Sequence, residues 1–168
     1  MSGIFEFTLK GIKKKQTESN FECSLYFQDK KIGKVINNKE FSFLWEKKHI
    51  DNIDFQNKIY DEINEYYNTY PKYIDEKTNE GMLKEFIRDL LLLNEIEKIF
   101  KKENSKEQIT VLRLLFYDDT QKTVIENKIE QILTCKNWST SLTEDLINMY
   151  KPIKVYTYET IEDLHIRQ

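Results

Sequence analysis

The hydrophobic period of this chain changes near residue 50, and that change constrains the fold more than any other feature. Phe5, Phe7 and Leu9 alternate with Glu6, Thr8 and Lys10, and Phe21, Cys23, Leu25 and Phe27 alternate with Glu22, Ser24 and Tyr26. A period of two places one set of side chains on a buried face and the other towards water, which is the pattern of a half-buried strand. Gln28-Asp29-Lys30-Lys31 reads as a polar turn into Ile32-Gly33-Lys34-Val35-Ile36, and Phe41, Phe43 and Trp45 resume the alternation after Asn37-Asn38. The first 45 residues are therefore expected to form an antiparallel meander of three or four strands.

From Asp51 the spacing becomes helical. Ile53, Tyr60, Ile63, Tyr67 and Tyr70 fall on one stripe, widened by Phe55, Ile59 and Tyr66, and Pro71 stops the helix. A longer helix is expected over residues 80–102, where Met82, Leu83, Phe86, Ile87, Leu90, Leu93, Ile96 and Phe100 form a wide apolar face. Residues 108–117 read as a strand buried on both faces, with Asp118-Asp119-Thr120 capping a third helix that runs to about Leu133. Ser141-Leu142-Thr143-Glu144 has capping-box spacing for a last short helix, and residues 154–158 read as a final strand. The expected fold class is α+β: the meander packed with two long helices, then a strand-helix-helix-strand part, all in one domain over residues 1–168. That length is enough to bury a core without disulfide staples.

Composition narrows function chiefly by exclusion. Hydrophobic residues at 39% and charged residues at 33% describe a chain that folds rather than one that stays disordered. Alanine is absent, and only Arg88, Arg113 and Arg167 are arginine among the 26 basic residues. This bias looks like that of an AT-rich genome, so the abundance of Lys and Tyr says little by itself and only their positions count. The net charge of −3 disfavours a general nucleic-acid binder, which needs positive charge to release counterions from phosphate. The run Lys13-Lys14-Lys15, with Lys10 and Lys30-Lys31 nearby, remains a local candidate for phosphate contact, against the plainer reading of a solvated loop.

No apolar run approaches the roughly 20 residues that span a bilayer; Leu90-Leu91-Leu92-Leu93 is bracketed by charged and amide side chains. The N-terminus lacks a basic leader with an apolar core, so a soluble, cytoplasmic protein is expected. Cys23 and Cys135 are too far apart in sequence, and too few, to form a disulfide framework or a zinc site, and are read as free buried thiols.

The four glycines form neither a Walker A loop nor a dinucleotide fingerprint, so no cofactor is expected. His49 and His165 lie beside no nucleophile or metal spacing and are read as surface or capping residues. Asp118 and Asp119 stand at the end of a strand, where carboxylates hold Mg²⁺ in phosphoryl-transfer enzymes, and Glu126 and Glu130 follow them. A metal-dependent nuclease is thus one alternative reading, although a strand-to-helix junction also calls for acidic caps.

The segment around the end of the first helix carries five tyrosines. Tyr60, Tyr66, Tyr67, Tyr70 and Tyr73 cannot all share one buried face at helical spacing. Tyr66, Tyr67, Tyr70 and Tyr73 are the candidate partner-binding residues, because tyrosine brings a large contact area with a polar tip and is enriched at interfaces. At least two of these rings are expected to lie exposed and close together.

The segment Phe21-Glu22-Cys23-Ser24-Leu25-Tyr26-Phe27-Gln28-Asp29-Lys30-Lys31-Ile32-Gly33-Lys34-Val35-Ile36-Asn37-Asn38 resembles a hairpin near the start of small uncharacterised phage and mobile-element proteins. There a Tyr-Phe pair precedes a turn ending in Lys-Lys, followed by an apolar residue and Gly. The Gly-rich loop that follows in those proteins is missing here, where Asn38 leads into Lys39-Glu40-Phe41-Ser42. The resemblance covers about a tenth of the chain and implies no enzyme activity. Together these readings point to a non-enzymatic protein-binding module, an inhibitor of a host or competitor protein, with a nuclease or a nucleic-acid binder as alternatives.

Overall fold

The computed structural model describes the chain except for residues 1–2, 15–19, 71–73, 75, 103–108, 116, 119–122, 125–129, 137–139, 153, 159–162, 164 and 167–168. It is an α+β fold in which a six-stranded sheet carries two long helices. The sheet comprises β1 (Gly3–Ile4), β2 (Phe7–Lys14), β3 (Phe21–Phe27), β4 (Lys30–Asn38), β5 (Glu40–Trp45) and, from the far end of the chain, β11 (His165–Ile166). Its order is β11-β1-β2-β3-β4-β5. All neighbours are antiparallel except β11, which lies parallel to β1 and joins the two ends of the chain.

The first reversal of the chain is a turn that alternation alone does not show. Phe5 and Glu6 both adopt positive φ, 45° and 68°, and form the two-residue loop between β1 and β2. Such a loop matches the twist of a hairpin but disfavours bulky residues. The Phe5 ring offsets the strain by burial: it is 5% exposed and meets Tyr66 edge to face at 5.5 Å. The β3–β4 hairpin repeats the geometry at Gln28 and Asp29, with φ of 50° and 60°, where the polar turn is expected.

Helix α1 (Ile53–Thr69) starts where the Asn52 side chain accepts the Phe55 amide at 3.1 Å, satisfying one of the free donors of the first turn. Helix α2 (Asn79–Lys102) starts with the Thr78 hydroxyl accepting the Gly81 amide at 3.1 Å. Phe7, Leu9, Cys23, Leu25, Phe27, Ile32 and Val35 of the sheet meet Ile59 and Ile63 of α1 and Leu83, Phe86, Ile87, Leu90, Leu93 and Ile96 of α2 in one core. Ile53 is a correction to the helical stripe: at 62% exposure it overhangs the sheet in the first turn of α1 instead of packing on it.

The second half of the chain departs further from expectation. Beyond α2 lie β6 (Ile109–Leu115), β7 (Tyr117–Asp118), β8 (Thr123–Val124), β9 (Glu130–Lys136), helix α3 (Thr140–Tyr150) and β10 (Lys154–Tyr158). β6 is the expected buried strand, with Val111, Leu112 and Leu114 fully buried, and it stands between β10 and β9 in a three-stranded sheet. The third helix expected from Asp118 to about Leu133 is not found among the described residues of that span, which are strands. β7 pairs with β8, and β9 pairs with β6 from Ile109↔Lys136 to Leu115↔Glu130. A short apolar segment such as Ile132-Leu133 is ambiguous between helix and strand, and the partner decides: Leu133 packs with Leu112, Leu114, Tyr150 and Val155.

Candidate functional site

The tyrosine cluster forms, but it faces inward. Tyr66 is 5% exposed and Tyr67 7%, and Tyr70 is half-buried against the same core. Tyr66 stands 5.0 Å from Tyr67 and 5.4 Å from Tyr70 between ring centroids, and it meets Phe86 edge to face at 5.5 Å. Two exposed rings are therefore not found among Tyr66, Tyr67 and Tyr70, and Tyr73 lies outside the described residues. The physical reason is that α2 closes over the end of α1, where Phe86 meets both Tyr66 and Tyr67 and Phe5 of the β1–β2 loop meets Tyr66 and Tyr70.

Tyr67 also has a specific polar partner. Its hydroxyl donates to Asp89 Oδ2 at 2.9 Å, and Asp89 is itself only 4% exposed in the middle of α2. Burial first, and then the adjacent Asp89 carboxylate, push the Tyr67 pKa well above its ordinary value, so the ring keeps its proton for this bond. Glu97, two turns further along α2 and likewise buried, receives Lys101 at 2.6 Å. Tyr67→Phe removes one donor from a buried carboxylate and is expected to cost about 1–3 kcal/mol. Urea unfolding checks this, and a midpoint equal to that of the unmodified chain would show the bond to be dispensable.

The other candidate residues disperse. Asp118 lies in β7 opposite Thr123, so it caps no helix; Asp119 and Glu126 lie outside the described residues; and Glu130 opens β9 opposite Leu115. Among the described residues no group of three or more His, Cys, Asp or Glu side chains is placed to hold a metal. His49 stacks on Phe55 at 3.8 Å, with its Nδ1 buried and without a hydrogen-bond partner among the described residues. His165 is part of β11. Cys23 is a free thiol buried in the core. Of the basic run, Lys13 and Lys14 belong to β2, Lys14 pairs with Glu95 of α2 at 3.0 Å, and Lys15 lies outside the described residues.

Among the described residues the large apolar side chains that are exposed lie in two places, on α3 at Ile147 and Met149 and around the edge of the large sheet. β5 has β4 on one side and no described strand on the other. Leu44 in β5 is 57% exposed, and Ile50 and Ile53, just beyond its end, are 54% and 62% exposed. The inward side chains hold this segment rigidly. Trp45 meets Phe43 at 5.0 Å, Tyr60 at 5.9 Å and Phe55 at 6.3 Å, each nearly edge to face. Gln56 Nε2 ties the following turn to α1 by donating to the carbonyls of His49 at 2.8 Å and Ile50 at 2.9 Å. Leu44 was legible in the alternation, since Phe41, Phe43 and Trp45 point inward and leave it outside. Ile50 and Ile53 carried no such signal.

A cleft of about 500 Å³ opens between the β4–β5 turn and the start of α2. Lys39, Glu40, Phe41, Glu80, Lys84 and Arg88 are among its lining residues, a mixture of charges without a nucleophile. No helix among the described residues is long and apolar enough to cross a membrane. No protein-family model matches the chain, and no curated protein or solved structure matches it either.

Proposed function

We propose that this chain is a non-enzymatic protein-binding module, acting in the cytoplasm as an inhibitor of a host or competitor protein encoded by a phage or mobile element. The observation that carries the reading is the β5 margin, where Leu44, Ile50 and Ile53 are exposed beside an edge with no described strand partner. Apolar side chains on a rigid support lose little entropy on docking, and an open strand edge offers backbone donors and acceptors to an incoming segment. The resemblance of the β3–β4 hairpin to phage and mobile-element proteins supplies the biological setting.

Affinity capture from host extract, compared between the unmodified chain and an Ile50→Asp/Ile53→Asp variant, tests the reading. Both residues are solvated in the free protein, so the variant should keep its thermal midpoint while losing the captured partner, because truncating a true anchor costs about 2 kcal/mol or more of binding. Equal recovery by both proteins, or no partner recovered in stoichiometric amount, would overturn it.

A further inference from the structure

Two bulges in the large sheet place four lysines on one face where a regular strand would have divided them between two. Side chains three residues apart in a strand point to opposite faces. In β2, however, Lys10 pairs with Ser24 and Lys13 with Glu22, so Gly11 and Ile12 together stand opposite Cys23 alone. Gly11 takes the positive φ of 65° that such an extra residue needs, and nothing approaches its Cβ position within 4 Å. In β4 the same happens at Ile32: Leu25 pairs with Gly33 and Tyr26 with Lys31, leaving Ile32 as the extra residue. Lys10 and Lys13 thus share a face, and so do Lys31 and Lys34.

That face is turned away from α1 and α2. Ser24, Glu22 and Tyr26 alternate with the buried Cys23, Leu25 and Phe27, so their strand partners Lys10, Lys13, Lys31 and Lys34 lie on the outer side with them. Tyr26, Ile36 and Leu44 stand on it as well, outside the core. Two carboxylates answer the four cations: Lys34 pairs with Glu22 at 2.8 Å and Lys31 with Glu46 at 2.9 Å. Lys10 instead rests over the Tyr26 ring, 4.4 Å from its centroid.

We propose that this outer face binds single-stranded nucleic acid, with Tyr26 as the stacking platform and Lys10, Lys13 and Lys34 as phosphate contacts. An aromatic ring set among cations on an open sheet is the arrangement that binds bases by their faces and the backbone by charge, without reading sequence. Lysine suits this role, being a point charge that meets a phosphate from any direction. A base stacking on Tyr26 takes the place of the Lys10 ammonium, which then turns to the adjacent phosphate. The overall charge of −3 disfavours a polyanion elsewhere on the surface, and counterion release at the lysine contacts makes binding here salt-dependent. Leu44 borders both this face and the Ile50–Ile53 margin, but Tyr26 and the lysines take no part in the protein-binding reading, so substitutions at Ile50 and Ile53 test that reading and substitutions at Lys10, Lys13 and Tyr26 test this one.

Fluorescence anisotropy with a labelled oligothymidylate of about 15 nucleotides tests the proposal. Three phosphate contacts predict that log K falls with log salt at a slope of about −2, and Lys10→Gln/Lys13→Gln should bring it to about −0.7. Tyr26→Leu, which preserves an apolar strand residue, should weaken binding about tenfold at constant slope. Lys47→Gln/Lys48→Gln, beyond the end of β5, should change neither, and thermal midpoints verify that each variant is folded. No binding at about 50 mM salt, or a slope unaltered in Lys10→Gln/Lys13→Gln, would overturn it. Displacement by polyglutamate as effective as by unlabelled oligothymidylate would also overturn it, in favour of an acidic protein surface.

Discussion

Replacing Phe86 by Ala is expected to lower the free energy of unfolding by about 3–5 kcal/mol, the largest effect of any single truncation considered for this protein. Phe86 is fully buried on α2, at the point where both long helices meet the sheet. Its ring lies 5.0 Å from Phe7 of β2, 5.5 Å from Tyr66 and 6.4 Å from Tyr67 of α1, each close to perpendicular. Edge-to-face pairs add to the transfer free energy of the ring itself. Alanine would leave a cavity walled by three further aromatic rings, which are too rigid to collapse into it. Urea unfolding with an unchanged slope and a much lower midpoint is the expected result. A loss below about 1 kcal/mol would show that the α1–α2–sheet junction repacks freely.

Alkaline pH should destabilise the protein through its buried thiol. Burial pushes the Cys23 thiol from its ordinary 9.0 up to about 12, because the thiolate has no solvation inside the core. The folded pKa therefore lies above the unfolded one. The stabilisation it represents is fully present below about pH 9 and is lost as pH rises from there towards about 12, reaching on the order of 4 kcal/mol at full ionisation. Tyr67 acts in the same direction, since burial and Asp89 raise its pKa and unfolding releases its proton more readily. Thermal midpoints of the unmodified chain and of Cys23→Ala, measured between about pH 8 and pH 11, separate the two groups. The variant should lose less stability over that range. Parallel curves would exclude Cys23 and leave the alkaline loss to Tyr67 and Tyr60, whose pKa burial also raises.

The same residue illustrates how far local pattern reaches. Cys23 is buried because it sits in phase with Leu25 and Phe27, and that phase can be read directly from the sequence. α1, α2, α3 and β10 likewise follow from periodicity and local signals, because a helix or strand with one apolar face carries its own instruction for which side to bury. β9 does not. Its Ile132 and Leu133 are compatible with either element, and only seven residues of pairing with β6 settle the matter. The interaction that decides it is more than a dozen residues away in the chain.

The surfaces show the same division. Alternation along β5 already places Leu44 outside. The tertiary structure decided that Tyr66 and Tyr67 are core, because α2 closes over the end of α1 with Phe86 edge-on to both rings and Asp89 accepting the Tyr67 hydroxyl. It also decided that Lys10 and Lys13 point the same way. A spacing of three predicts opposite faces, and one extra residue at Gly11 reverses that rule. Sequence alone determined the elements whose stability comes from their own amphipathic faces. Pairing partners, bulges and the packing of one helix over another are set by contacts between distant segments, and these the chain reveals only when folded.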